Sequence, residues 1–231
     1  MVNADPVRPS DPVHPSTDLS RLRERQVRSR SDLDSLLDSV PLATVAFVRD
    51  SHPVALPIGA ARLADELVIH GSSGSPWLNH LAGAVPVSVC VSALDGVVVA
   101  RSGFESSFHY RSAVLFGRFE PVADADKDRY LQALLEIFIP GRSAELRANT
   151  GRELAATLVL RLPITADNWS LKVAAGWPED DDDDVAAGGW AGVVPMTLRY
   201  GSPLRAPDCD PAIPVPESVR LMTGSAIERG H

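Results

Sequence analysis

The chain has 231 residues, enough for one sizeable hydrophobic core, and its 45% hydrophobic and 23% charged residues are ordinary for a soluble globular protein. Six acids of the formal net charge of −8 stand in one run at 179–184, so the rest carries −2 (−8 minus −6). No concentrated basic face favours nucleic acid, and no apolar stretch approaches the ~18 residues of a membrane span. We therefore expect a cytoplasmic protein with neither nucleic acid nor a membrane as its partner. Cys90 and Cys209 are too few and too far apart for a disulfide framework or a metal site.

The ends of the chain are rich in proline. Residues 5–16 contain a near-repeat, DPVRPS followed by DPVHPS, in which proline removes backbone donors. We predict a disordered tail at 1–17, a single domain at 18–216 with the acidic run 179–184 as a solvated loop, and a C-terminal tail at 217–231.

The elements of the domain change from helical to β patterning after its first helix. That helix is predicted to begin with Ser31 as its N-cap and to bury Leu33, Leu36 and Leu37. Alternating apolar residues then predict strands, and Asp95-Gly96 is typical of a hairpin turn. The strands are predicted at 43–48, 54–62, 66–70, 85–94, 97–102, 112–121, 157–162, 170–174 and 193–200. Further helices are predicted at 76–81, 124–138 and 150–156. This order indicates an α+β fold built mainly of antiparallel β-strands, as a barrel or a sandwich.

Two segments carry residue types suited to binding an anion. His70 is followed by a loop of small residues that runs into a helix, where backbone N–H groups can approach a phosphate. The loop residues are Gly71, Ser72, Ser73, Gly74 and Ser75. Arg101, Tyr110 and Arg111 crowd a second connection, and arginine suits phosphate or carboxylate. From the residues alone, the loop could equally be a structural turn, and the arginines could be solvated or paired with carboxylates.

These segments together resemble a known family. The succession of HGS at 70–72, LDG at 94–96, ARS at 100–102, YRS at 110–112 and FG at 116–117 is similar to flavin-binding proteins related to pyridoxamine 5′-phosphate oxidase. The similarity is greatest to the branch that includes the nitroimidazole-resistance proteins. Further short matches continue in order, among them Lys172, GWP at 176–178 and WAGVVP at 190–195, so that the resemblance covers about residues 28–216.

The resemblance implies a six-stranded split β-barrel that forms a homodimer, with FMN held at the subunit interface. It implies that Pro57, Ile58 and Gly59 pass along the flavin ring and that residues 70–75 hold the phosphate. Relatives commonly place a cation after this loop, whereas this chain has Ser75-Pro76-Trp77 there. Arg101 or Arg111 is therefore expected to neutralise the phosphate, while Tyr110 and Lys172 complete the predicted cofactor contacts.

The implied activity is that of an FMN-dependent oxidoreductase. Electrons would pass to a small acceptor such as a nitro compound, a quinone or dioxygen, with His70 as the candidate for acid–base catalysis. The alternative is a non-catalytic protein on the same fold that binds a flavin, a deazaflavin or a haem, and a structural role for His70 also stays open. No metal site is expected, because His80 and His109 have no ligand-like spacing to other such residues.

Overall fold

A computed structural model describes residues 14–224 of the chain. Residues 1–13 of the predicted N-terminal tail and 225–231 of the predicted C-terminal tail lie outside this range. None of the helices within it has the length and apolar character needed to span a bilayer. Its six α-helices are α1 (Arg30–Ser39), α2 (Pro76–Ala82), α3 (Lys127–Phe138), α4 (Gly151–Ala155), α5 (Asp182–Ala187) and α6 (Glu217–Gly224). Two short 3-10 helices lie at Arg23–Arg25 and Ser143–Glu145.

The described strands form one ten-stranded sheet in which every pairing is antiparallel. The strands are β1 (Gln26–Val27), β2 (Leu42–Arg49), β3 (His52–Leu63), β4 (Glu66–Ser72), β5 (Pro86–Val99), β6 (Ser107–Arg118), β7 (Glu120–Pro121), β8 (Thr157–Pro163), β9 (Trp169–Ala174) and β10 (Gly192–Pro195). Their order is β1-β9-β6-β5-β2-β3-β4-β8-β7, and β10 pairs with β5 beside this path.

The sheet curls back on itself because β6 and β7 are nearly continuous in the chain. Only Phe119, which is fully buried, separates them, and β7 pairs with β8 at the far end of the strand order. The buried Asn168 reinforces this closure, since its Nδ2 donates to the carbonyls of Phe116 on β6 and Pro163 on β8 at 2.8 and 2.9 Å. The predicted α+β split barrel is thus confirmed, and short strands extend it at its edges.

Alternation along the strands divides their side chains between two faces. The inner face of β2, β5 and β6 contributes alternate residues such as Val45, Val89 and Leu115 to the main core, together with the buried leucines of α1. A second, smaller cluster fills the space between α3 and the opposite face of β3, β4 and β8, which we call the α3 face. Its buried members are Ala61, Val68, Val122, Tyr130, Leu134 and Val159.

Two local predictions were wrong. The N-cap of α1 is Ser29, not Ser31, and its hydroxyl accepts from the N–H of Asp32. Asp95-Gly96 is not a hairpin turn but a bulge within the single long strand β5, where the register shifts between Leu94 and Gly96. Gly96 serves the close approach of β10 there, because a Cβ on it would lie 3.1 Å from the carbonyl oxygen of Val194.

The regions predicted as an acidic loop and a C-terminal tail contain helices. The last three acids of the run 179–184 form the first turn of α5, where the positive end of the helix dipole favours carboxylates. Within the predicted tail, α6 packs back onto the domain. Its buried Ser218 donates a hydrogen bond of 2.6 Å to Glu145, and the Ser218 N–H donates to the same carboxylate.

Candidate functional site

The sheet opens where β3 separates from β4. Their ladder ends at the pair Ala60 and Ile69, after which β3 continues beside β2 and β4 continues beside β8. The predicted ring contacts 57–59 lie on β3 just beyond this point, and 70–72 lie on the diverging end of β4. The structure therefore brings these two predicted segments to the mouth of one opening, with the free edge of β3 turned toward it.

His70 stands on the α3 face beside this opening. It follows Val68 by two residues on β4 and pairs with Val159 on β8, and both valines belong to the cluster under α3. Burial lowers the pKa of the His70 imidazole below its ordinary 6.5, so that the ring is neutral at pH 7. Its Nδ1 is buried and has no hydrogen-bond partner among residues 14–224. A buried ring nitrogen without a partner is costly, and a bound group could satisfy it.

An apolar cavity of about 560 Å³ lies on the same face. Gly59 and Ala61 of β3 contribute to its lining, next to the strand that carries His70. The end of α3 supplies Ile137 and Phe138, and α6 supplies Leu221 and Met222. A volume of this size is typical of sites for small molecules and cofactors.

The Gly/Ser loop at 71–75, which we predicted to hold an anion, uses three of its backbone donors within the fold. The N–H groups of Ser73, Gly74 and Ser75 already donate to the carbonyl of Ala156, the hydroxyl of Ser72 and the carbonyl of Ser72, respectively. Asn79 of α2 donates to the carbonyls of Ser73 and Ser75 and fixes the turn from the other side. These donors are spent within the fold, so the loop is primarily a structural turn.

The two arginines expected to neutralise a phosphate are both paired with carboxylates. Arg101 contacts Asp180 at 2.8 Å, and the Arg101 N–H donates to the same carboxylate at 2.6 Å. Arg111 donates to both carboxylate oxygens of Asp95, at 2.9 and 3.1 Å. Their charges are therefore compensated before any ligand binds.

The remaining predicted contacts, Tyr110 and Lys172, lie together on the outer face of β6 and β9, away from the core. The Lys172 ammonium sits 5.7 Å from the centre of the Tyr110 ring, which is within the range of a cation–π contact. No carboxylate within salt-bridge distance of Lys172 is found in the described part of the chain. Four strand spacings separate β3 from β9, so this pair lies about 19 Å from residues 57–59 as measured along the curved sheet, at ~4.8 Å per strand.

Sequence reasoning missed the cavity and the role of Asp180. The side chain of Asp180 is only 2% exposed, although it stands in a run interpreted as solvated. The cavity depends on α6, which belongs to a segment where no apolar periodicity was recognised. A weak signal was present, because Val219, Leu221 and Met222 fall near helical spacing.

Comparison with known proteins identifies relatives of this fold. The profile of the family named pyridoxamine 5′-phosphate oxidase matches residues 29–168. A FAD- and haem-binding protein from Mycobacterium smegmatis has 66% sequence identity and a TM-score of 0.85, over 86% of this chain and 97% of that one. The flavocytochrome of Azotobacter vinelandii has 32% identity and a TM-score of 0.83, over 89% and 95%.

A protein of Bacteroides thetaiotaomicron assigned to 5-nitroimidazole antibiotic resistance shares the fold at 15% identity and a TM-score of 0.54, over 64% of this chain and 86% of that one. A search of curated proteins found no match.

Proposed function

This chain belongs to the pyridoxamine 5′-phosphate oxidase family, and we propose that it is a flavin-binding redox protein that also holds a haem. One observation carries the proposal. A partly buried histidine whose Nδ1 has no partner among the described residues stands at the split in the sheet, on the strand next to the one that lines the apolar cavity. The relative with 66% identity binds both FAD and haem, and the relative with 32% identity is a flavocytochrome.

The flavin is proposed to lie against the free edge of β3. Among residues 14–224, the segment 57–59 of this strand pairs with β2 alone, so the other edge of its backbone is open to a ring. No neighbouring atom crowds Gly59, because a Cβ added to it would lie 3.9 Å from the Pro41 carbonyl oxygen and 4.0 Å from the Phe138 ring. The strand therefore leaves space at this position for a ring. We expected FMN from the sequence, and the relative's cofactor now favours FAD.

The residues around the cavity fit a haem. Its apolar lining suits a flat macrocycle, and His70, on the neighbouring strand β4, offers an imidazole whose lowered pKa favours the neutral form that binds iron. A haem bound there would supply one-electron chemistry; His70 would hold it, and the apolar lining would give it low-polarity surroundings. Phe138 and Leu221 supply part of this apolar lining.

A homodimer is proposed to complete the flavin site. The outer face of β2 and β5 exposes Leu42, Val48 and Leu94 to the extents of 56%, 63% and 41%, an apolar surface of the kind that a second copy covers. A second copy would also bring Lys172 toward the β3 edge of its partner. Within one chain, about 19 Å of sheet separates Lys172 from its own β3 at ~4.8 Å per strand. A Leu42→Asp, Val48→Asp double variant should then be a monomer in light scattering, whereas Val185→Asp, on the exposed α5, should stay dimeric.

The proposed activity is transfer of electrons to a small acceptor such as a nitro compound, a quinone or dioxygen. The chain's residues are proposed to bind and orient the cofactors, and burial lowers the pKa of His70, which favours its neutral form. A carrier without turnover is the alternative. Recovery of a reduced protein's oxidised spectrum after adding an acceptor would favour the oxidoreductase.

The visible spectrum of the purified protein tests cofactor binding. We expect flavin bands together with a Soret band after supplementation with FAD and haem. His70→Gln should lose or shift the Soret band and keep the flavin bands, whereas the matched variant His52→Gln, at an exposed hairpin, should keep both. A wild-type protein that retains no flavin would overturn the flavoprotein proposal, and an unchanged Soret band in His70→Gln would remove His70 as ligand.

A further inference from the structure

Three polar side chains stand side by side across three strands of the outer face. Ser92 of β5 pairs with Ser112 of β6, and Ser112 pairs in turn with Lys172 of β9. Their chain neighbours Ala93, Ala113 and Leu171 are buried in the main core, so alternation places the three polar side chains on the opposite, outer face. We call Ser92, Ser112 and Lys172 the polar row.

The polar row keeps its hydrogen-bonding capacity. Within residues 14–224, the hydroxyls of Ser92 and Ser112 make no hydrogen bond, and the Lys172 ammonium contacts the Tyr110 ring rather than a carboxylate. Gln26 of β1 pairs with Lys172 and ends the row, because its side-chain amide is already bound to the N–H of Leu19 and the carbonyl of Thr17. The row therefore has a defined length with one cation at its closed end.

The other predicted anion contacts contrast with this row. Arg101 and Arg111 are held by Asp180 and Asp95, and three N–H groups of the loop 71–75 are spent within the fold. Among the cations predicted to meet the cofactor, Lys172 is the one without a carboxylate partner in the described part of the chain. The strand register and the absence of a carboxylate partner in the described residues both favour Lys172 as the cation that contacts a bound anion.

We propose that the polar row binds the diphosphate of a dinucleotide cofactor whose flavin ring lies against β3 of a second copy of this chain; that second copy, and the identity of the cofactor as FAD, rest on the proposed function. Adjacent strands lie ~4.8 Å apart, so the row offers three donors over about 10 Å. A single phosphate reaches the ammonium and one hydroxyl, whereas a diphosphate spans the whole row. The row thus distinguishes FAD from FMN.

Titration of the apoprotein with FAD, FMN and riboflavin tests this assignment. A hydrogen bond to a charged group contributes about 1.5–3 kcal/mol, so Lys172→Met should weaken FAD about tenfold to hundredfold and leave riboflavin unchanged. Lys172→Arg should keep most of the affinity. The Ser92→Ala variant, at the end of the row beyond the reach of a single phosphate held at Lys172, should lose a few-fold in affinity for FAD and bind FMN nearly as the wild type does.

The matched control is Lys127→Met, because Lys127 is the only other lysine of the chain. It lies at the start of α3 and pairs with Asp124, away from the polar row. Equal FAD affinity in Lys172→Met and wild type would overturn the inference while leaving flavin binding intact. If the wild type binds no flavin, the proposed function fails, and inorganic pyrophosphate becomes the probe. Binding of pyrophosphate that Lys172→Met abolishes would support the row, and binding indifferent to that variant would overturn it.

Discussion

Gly71 on β4 and Leu78 on α2 pack so closely that no side chain fits between them. A Cβ on Gly71 would lie 2.5 Å from Cδ1 of Leu78, which is itself 1% exposed and part of the main core. The glycine that we first assigned to phosphate binding therefore seats α2 against the sheet.

Replacing Gly71 by alanine should destabilise the protein. The added methyl group forces the buried Leu78 off its position, and overpacking of this kind costs about 1–3 kcal/mol. Gly74→Ala is the control, since its Cβ would meet only the Ser72 hydroxyl at 3.6 Å and its φ is not positive. Urea unfolding should show a lower free energy of unfolding for Gly71→Ala alone, and equal midpoints for both variants would contradict the packing argument.

The sequence predicted the barrel better than the site for a physical reason. Alternation in residues such as Val87, Val89 and Val91 is a local pattern, and it identifies a buried strand wherever that strand ends up. The state of Arg101 depends instead on Asp180, 79 residues away in the chain, which no local pattern connects to it. Composition identified residue types that can bind anions, but it could not show which of those residues would be paired with a carboxylate in the fold.

Gly96 shows how the same residue type can serve two structures. Asp-Gly favours a turn because glycine tolerates positive φ, but Gly96 is not among the positive-φ glycines of the described residues. Glycine is needed here because β10 passes so close that a Cβ would lie 3.1 Å from the carbonyl oxygen of Val194. Separating these cases requires knowledge of the distant strand β10.

Asp180 should contribute to stability in spite of its place in an acidic run. Its nearly buried carboxylate accepts from both the backbone and the guanidinium of Arg101, and hydrogen bonds to charged groups contribute about 1.5–3 kcal/mol. Asp180→Asn should therefore lower the free energy of unfolding by about 2 kcal/mol. Asp183→Asn, at an exposed position of the same run, should change it by less than about 0.5 kcal/mol. Similar losses in both variants would mean that the run acts only through its total charge.

Docking of α6 should depend on the ionisation of Glu145. The Ser218 hydroxyl, followed by the Arg142 guanidinium, lowers the pKa of this carboxyl from 4.5 to about 2. The unfolded chain takes up a proton first as pH falls, so this contribution is complete above pH 4.5 and is lost as the pH approaches 2. Carbon-13 NMR titration should find the pKa of Glu145 raised toward 4.5 in Ser218→Ala. Thr223→Ala removes a hydroxyl that bonds within α6 and should leave that pKa unchanged, so a shift in both variants would argue against a specific clasp.

His70 should make the apoprotein less stable in mild acid. Burial lowers its pKa in the folded state below the ordinary 6.5, so below pH 6.5 the unfolded chain binds a proton that the folded chain does not. Stability is therefore unaffected by His70 well above pH 6.5 and falls as the pH drops through that value. His70→Gln removes this dependence, because glutamine does not titrate.

The measurement is the urea midpoint of the apoprotein at about pH 7.5 and about pH 5.5, a range in which histidine titrates. Wild type and the exposed-position control His52→Gln should lose more of their stability over this range than His70→Gln does. Haem added to the wild type should reduce the loss, since an iron bound to the imidazole competes with the proton. If the wild-type and His70→Gln midpoints fall in parallel, His70 is solvated in the apoprotein. Water would then satisfy the Nδ1 of His70, and its lack of a protein partner would no longer support a bound ligand there.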